Sequence, residues 1–291
     1  MTYDLFIGDR ATASWSLRGW RLYWKFNHSL RTHMVGLSDG TLAEDLAELA
    51  PARLVPVMRD QDGIVIGDSL AMAETLAECH PDAGLWPADP AARGLARWMA
   101  AEMHSGFSAL RNDCPMQLFH QVDGFDPAPS VRSDLERVEE LWALARTRHG
   151  DSGPWLFGTY SLADVFFAPV AARIAGYGLP VGPLAQRYVD TTLVDTLFRQ
   201  WRAMGLTKSY DPFPYDMGLP ERPWPGPAIV RARAIDDATP ENPNCPYSGR
   251  PSTHMLETRG RVFGFCNAFC RDKTVADPDA WPAFVALRDG A

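Results

Sequence analysis

The stretch LVPVMRDQDGIVIGDS, residues 54–69, decides how the first third of this 291-residue chain folds. LVPVMRD (54–60) and GIVIGD (63–68) read as two strands joined by an Asp-Gly turn at Asp62-Gly63, a strong hairpin signal. The second of these ends in Gly67-Asp68-Ser69 and leads into a helix over 69–79. Working backward, TLAEDLAELA (41–50) predicts an amphipathic helix with Thr41 as N-cap and Glu44 at its third position. A second strand is expected over 29–37, a helix rich in Leu, Trp and Tyr over 16–27, and a buried strand at YDLFIGD (3–9). The order strand, helix, strand, helix, hairpin, helix implies a small mixed sheet. Two of its strands are linked by a crossover helix, and the other two form an antiparallel pair.

Working forward, three prolines in HPDAGLWPADP (80–90) mark a linker. From 91 to about 205 the pattern is helical with no convincing strand. Helices are expected over 91–111, over 130–148, and from Ser161 through LADVFFAPVAARIAG. In the last, Ser161 and Asp164 form a capping pair, with Tyr160 as hydrophobic staple, ahead of a nearly all-apolar run that reads as a buried central helix. Nine prolines fall within 211–246, which reads as a connector or extended arm. The remaining residues form a separate small unit.

Bulk properties narrow the functions. A net charge of −8 with scattered arginines argues against a nucleic-acid partner. No stretch of about 18 apolar residues occurs, so no membrane span is expected. MTYDLFIGDR lacks the charged lead and long apolar run of a secretory signal. Five cysteines are an odd number, and three lie in the last fifty residues. That pattern suits a reducing compartment and a metal site better than a disulfide framework, and the cytoplasm is the expected address.

A small mixed-sheet domain, a proline-bearing linker and an all-helical domain resemble the layout of cytosolic glutathione transferases, bacterial and zeta-like. The resemblance covers about 205 residues. Leu54-Val55-Pro56-Val57 matches that family's Val-Pro segment, Asp68-Ser69 its acid-Ser pair, Ser161-Leu162-Ala163-Asp164 its capping motif, and WMAAEMHSGFSALRNDCP (98–115) its first long helix. The resemblance implies a thioredoxin-like domain over 1–82 and an all-helical domain over 90–210, followed by a proline-rich linker over 211–243. It implies that Pro56 is cis, that Val55 and Trp15 belong to the glutathione site, and that Asp68 and Ser69 hold the γ-glutamyl group. It also implies a homodimer acting on a small electrophile, by conjugation or isomerisation. The segment Ser14-Trp15-Ser16-Leu17-Arg18 sits where the family keeps its catalytic residue. Zeta-like members have Ser-Ser there, whereas this chain has Ala13 before Ser14. Ser14 is then the expected thiol-activating donor, with Thr12 the other nearby hydroxyl. The alternative for Ser14 is a plain helix cap. His28, His33 and His104 read as structural, Met99, Met103 and Phe107 as core or pocket lining, and Cys79 and Cys114 as small buried residues.

The tail carries a second resemblance. Cys245-Pro-Tyr-Ser-Gly, then Gly260-Arg-Val-Phe-Gly-Phe-Cys266, Cys270 and Asp277-Pro278 are similar to the small treble-clef-like α+β domains known as YHS or TRASH domains, over 244–291. Cys245, Cys266 and Cys270 are expected metal ligands, with His254 as the fourth and Asp272 or water behind it. Zinc is the expected occupant, since thiolates suit zinc or copper(I) and a unit this small gains from a metal staple. Two functions stand at this point. One is a glutathione transferase; the other is a catalytically weak glutathione-binding protein whose tail senses or carries metal.

Overall fold

The computed structural model describes residues 2–37, 40–208 and 216–290. Residues 211–215, the start of the proline-rich stretch, lie outside the described residues. The described residues fall into two compact units, one running to residue 193 with 216–225 added, the other comprising 194–208 and 226–290. Among the described residues no helix is long and apolar enough to cross a membrane.

The first unit opens with β1 (Thr2–Ile7), α1 (Ser14–Trp24), β2 (Ser29–Met34) and the short α2 (Leu42–Asp45), followed by β3 (Val57–Arg59), β4 (Val65–Ile66) and α3 (Ser69–Cys79). The sheet order is β2-β1-β3-β4, with β1 parallel to β2 and antiparallel to β3. β3 and β4 pair as the expected hairpin, Met58 opposite Ile66, and Gly63 takes φ 84° at the turn. Leu5 and Ile7 of β1 are fully buried, and Leu17 and Leu22 of α1 with them. This is the thioredoxin-like arrangement the hairpin and crossover imply. The helix expected over 41–50 is shorter. It ends at Asp45 and tightens into a 3-10 turn over Ala47–Leu49. Thr41 makes no capping bond; its hydroxyl donates to Asp45 instead.

The helical part follows: α4 (Pro90–Ser105), α5 (Ser108–Asp113), the two-residue β5 (Gln121–Val122), α6 (Pro129–His149), α7 (Leu162–Tyr177) and α8 (Pro183–Val194). The single helix expected over 91–111 is broken in two. Gly106 is extended and Phe107 takes φ 55°, so the ladder stops after Glu102 and restarts at Ser108. α7 is buried along its whole length. The Asp164 carboxylate accepts from the Ser161 N–H at 2.8 Å, the Ser161 hydroxyl at 3.2 Å and the Leu156 N–H at 3.1 Å, so the expected capping pair forms. β5 pairs with β6 (Glu221–Arg222), a small strand pair that periodicity does not announce.

The second unit contains α9 (Thr196–Gly205), β7 (Ala232–Ile235), β8 (His254–Thr258), β9 (Arg261–Phe265), α10 (Ala268–Ala276) and α11 (Pro282–Asp289). β8 and β9 are the expected hairpin, turning through Arg259 and Gly260, both at positive φ. β7 is a correction to the connector reading, because Ala232–Ile235 pairs with β8 and makes the sheet three-stranded. Leu256, Phe263, Phe265 and Phe284 form its buried centre, with Phe284 meeting both other rings at 5.2 and 5.7 Å. α9 belongs with this core. Arg199 makes a two-pronged ion pair with buried Asp277, at 2.9 and 2.6 Å, and Gln200 donates to the Ala280 carbonyl.

Candidate functional site

The loop after β1 sets the first part of the site. Asp9 accepts from the Ala11 and Thr12 N–H groups and from the Thr12 hydroxyl, folding the loop so that α1 starts at Ser14. Thr12's hydroxyl is thereby engaged. The N-cap position is Ala13, which has no side chain to cap with, and Ser14 is already the first helical residue. Ser14 therefore does not serve as the cap. Ser14 lines a cavity of about 460 Å³ together with Trp15, Val55 and Asp68.

The opposite wall comes from the hairpin and α3. The Val55-Pro56 bond is cis, as the resemblance implies. α1 lies close over this loop because residue 19 is glycine, and a Cβ there would stand 2.8 Å from the Pro56 ring. Asp68 caps α3, accepting from the Leu70 and Ala71 N–H groups at 2.8 and 3.0 Å. Its second oxygen lies 3.1 Å from His104 Nε2. Ser69 is fully buried, and its hydroxyl has no hydrogen-bond partner among the described residues. Ser69 itself does not line the cavity, which Asp68 reaches. Ser14, Trp15, Val55 and Asp68 thus share one cavity, with Pro56 and Ser69 buried directly beside Val55 and Asp68 in the chain.

Three arginines complete the site, and sequence reasoning missed all of them. Arg111 and Arg173 line the cavity. Arg111 and Arg18 lie over the Trp15 ring, at 4.1 and 4.7 Å from its centroid. The break at Gly106 makes this possible, because the carbonyls of His104 and Gly106 it leaves over accept from Arg111. Arg18 is fully buried with all three guanidinium nitrogens unpaired among the described residues. Burial, then Arg173 and Arg111, push its pKa down to about 9, against the opposing pull of Asp68. Burial likewise lowers His104. The one signal in the sequence was Arg173 itself, a lone cation inside the apolar run LADVFFAPVAARIAGY. His104, read as structural, joins the site through Asp68. Met99, Met103 and Phe107 are core and do not line the cavity; Met116 does. His33 pairs with Asp4, and His28 stacks near His80. Cys114 is buried, its thiol pushed up to about 12 by burial, whereas Cys79 is exposed at the helix end, contrary to expectation.

In the second unit the sulfurs of Cys245, Cys266 and Cys270 all lie within 4.8 Å of one another. Cys245 sits in a tight turn closed by the Gly249 N–H, and Cys270 stands in the first turn of α10, its N–H donating to the capping Asn267 Oδ1 at 2.8 Å. Burial raises the Cys245 thiol, but the N–H groups of Cys266 and Tyr247 and the Ser248 hydroxyl outweigh it and bring it down. Cys270 is pushed up by burial and by Cys245. His254 is not in this group. It stands on β8 with Nδ1 2.9 Å from Thr253 Oγ1, because the strand's alternation sets it apart from the loop and helix that carry the sulfurs. Asp272 is likewise outside, paired with Arg271 at 2.7 Å.

A thioredoxin-like sheet followed by a helical part, with Ser14, Trp15, Val55 and Asp68 lining one cavity, is the layout of the glutathione transferase class. The comparisons agree with that class. The model of the glutathione S-transferase N-terminal domain matches residues 14–79. A probable maleylacetoacetate isomerase of Caenorhabditis elegans is 29% identical over 188 residues, covering 64% of this chain and 86% of its own. A maleylacetoacetate isomerase of Dictyostelium discoideum is 30% identical over 158 residues, covering 54% and 72%. A solved glutathione transferase homolog from Burkholderia, with bound glutathione, superposes with a TM-score of 0.54 at 21% identity, covering 72% of this chain and all of its own. A maleyl pyruvate isomerase, described as a bacterial glutathione S-transferase of the zeta class, gives 0.52 at 20% identity, covering 68% and 95%. The chain belongs to the glutathione S-transferase family and is similar to its zeta-class, maleylacetoacetate isomerase branch.

Proposed function

We propose that the first unit binds glutathione and activates its thiol for attack on a small anionic electrophile, by conjugation or by reversible addition that isomerises a double bond. The observation that carries this reading is the cavity itself. Ser14, at a helix start, lines it together with Trp15, Val55, Asp68, Arg111 and Arg173. A free thiol with a pKa near ~8.5 is only a few per cent ionised at neutral pH. The Ser14 hydroxyl and the α1 N-terminus stabilise the anion, each pKa unit of depression corresponding to about 1.4 kcal/mol. The thiol proton leaves to solvent, and the thiolate adds to the electrophilic carbon. Conjugation ends with protonation of the adduct. Isomerisation ends when the new C–S bond breaks after rotation about what was the double bond, so glutathione is regenerated. Arg111, backed by Arg18 through Trp15, supplies cationic charge that favours a carboxylate-bearing electrophile. The names of the relatives, maleylacetoacetate isomerases, support this substrate class.

The test is a glutathione titration of the protein, following thiolate absorbance against pH. A bound thiol titrating clearly below free glutathione, and losing that depression in Ser14→Ala, is the expected result. Binding with an unshifted thiol, or no binding, leaves the metal tail as the functional part.

A second activity rests on the three sulfurs. The tail is proposed as a treble-clef-like module in which Cys245, Cys266 and Cys270 hold zinc, with His254 and Asp272 left out and the fourth position filled from elsewhere, by water in the simplest case. Bound zinc supplies cross-linking of loop, strand end and helix start. About one zinc per chain, lost in Cys266→Ser/Cys270→Ser, is expected by metal analysis. Retained glutathione binding with lost stability in that variant marks a structural brace, and loss of metal response alone marks a sensor. A homodimer and a cytoplasmic address complete the reading. The exposed Ile64 and Trp98 support the first, since large apolar side chains favour a partner, and sedimentation measures it. The thiol-dependent sulfur cluster supports the second.

A further inference from the structure

We infer that Arg173 is the positioning residue that turns Ser14 into a thiol donor, an inference resting on the glutathione reading above. Arg173 sits on α7, 4% exposed, and its guanidinium is tied at three points. Nε donates to the Cys114 carbonyl at 2.9 Å, Nη1 to the Pro169 carbonyl at 3.2 Å and Nη2 to Ser14 Oγ at 3.4 Å. The first two bonds fix the plane of the fork, so the third nitrogen is delivered to Ser14 by rigid protein and not by a mobile chain.

The consequence follows from valence. A serine hydroxyl has one proton and two lone pairs, and a guanidinium only donates. With Arg173 on one lone pair, the Ser14 proton cannot point at α7. No other hydrogen bond of Ser14 Oγ exists among the described residues, and Ser14 lines the cavity. The proton is thereby left for a ligand in the cavity. A cationic donor on the oxygen also polarises the O–H bond and makes it a stronger donor than a free serine. Arg18 and Arg111 add positive field without touching Ser14, since both are committed to the Trp15 ring. Position 13 is alanine, so the hydroxyl that Arg173 reaches at this helix start is the one at position 14.

A double-mutant cycle on the pKa of the bound glutathione thiol tests this. Ser14→Ala, Arg173→Met and the pair are each titrated by thiolate absorbance, with folding checked by circular dichroism. Arg173→Met is expected to raise the bound thiol's pKa by about one unit and to lower kcat, while KM for glutathione stays within a factor of about two. In the Ser14→Ala background the same change is expected to add little. An equal shift in both backgrounds overturns the inference, because Arg173 then acts on the sulfur directly, as does no shift from Arg173→Met while Ser14→Ala shifts the thiol. An unshifted Ser14→Ala overturns the Ser14 assignment and the inference with it. If Arg173→Met does not fold, Arg173→Lys replaces it in the same cycle, since it keeps the charge and stem but loses the three-point fork.

Discussion

In the proposed glutathione site, Ser69 Oγ is the single atom that a substitution tests most directly. The hydroxyl is buried at the start of α3 without a partner among the described residues, which is a standing cost until a ligand supplies one. A hydrogen bond to a charged group is worth about 1.5–3 kcal/mol. Ser69→Ala should therefore weaken glutathione binding by about tenfold or more, as read by calorimetric titration, while leaving the unliganded protein as stable as before or more so. A loss of stability of the free protein without loss of affinity would contradict the assignment. That α3 opens at Ser69 was legible in the sequence, because Gly-Asp-Ser closing a strand announces a helix start. The arginines were not. Whether an arginine meets a cavity depends on contacts across long sequence separations, such as Arg173 reaching Ser14 over 159 residues, and nothing in local periodicity encodes that. His104 was missed for the same reason, since its partner Asp68 lies in another element.

At the scale of elements, the hairpin turns and helix caps could be read directly, and the breaks between elements could not. Asp62-Gly63, Arg259-Gly260 and the Ser161/Asp164 pair all act where local chemistry places them. The helix over 91–111 splits where Gly106 turns extended, close enough to the Glu102 carbonyl that a Cβ would stand 2.8 Å from it, and Phe107 takes the left-handed conformation to bury its ring, a tertiary choice that overrides an unbroken apolar pattern. The Asp164 cap has a pH signature. Burial raises its pKa from 3.8 to about 6 despite the hydrogen bonds from Leu156 and Ser161. The folded state thus binds the proton more tightly than the unfolded one, and the stability this brings is full below pH about 4 and is lost as pH rises through 6. The penalty of Asp164→Asn, measured by urea unfolding, should accordingly be largest near pH 4 and shrink above pH 6. Leaving two buried N–H groups without a carboxylate, Asp164→Ala should cost about 3 kcal/mol. Gly19 offers a test of the contact between α1 and the Pro56 loop. Gly19→Val drives a side chain into the Pro56 ring, and overpacking of this kind costs about 1–3 kcal/mol. Its expected effect is lower stability together with weaker glutathione binding, because Val55, which lines the cavity, precedes the displaced proline.

The molecule as a whole joins a glutathione-transferase body to a tail for which metal-dependent stability is proposed. The first unit buries an entire apolar helix, α7, and needs no staple. The second closes a three-stranded sheet over a few aromatic residues, and its sulfur cluster sits where loop, strand end and helix start converge. A core that small leaves little margin, so a ligand that binds only the folded form should dominate its stability. Zinc present at a thousandfold over its dissociation constant stabilises by about 4 kcal/mol, and a chelator removes that amount. Thermal unfolding with and without chelator should therefore show a clear drop in the melting temperature, and Cys270→Ser should start low and be indifferent to chelator. If the zinc-loaded and chelated proteins melt together, the three sulfurs are only buried small side chains. The proximity that the spacing Cys266-x-x-x-Cys270 and the turn at Cys245 impose would then serve packing alone.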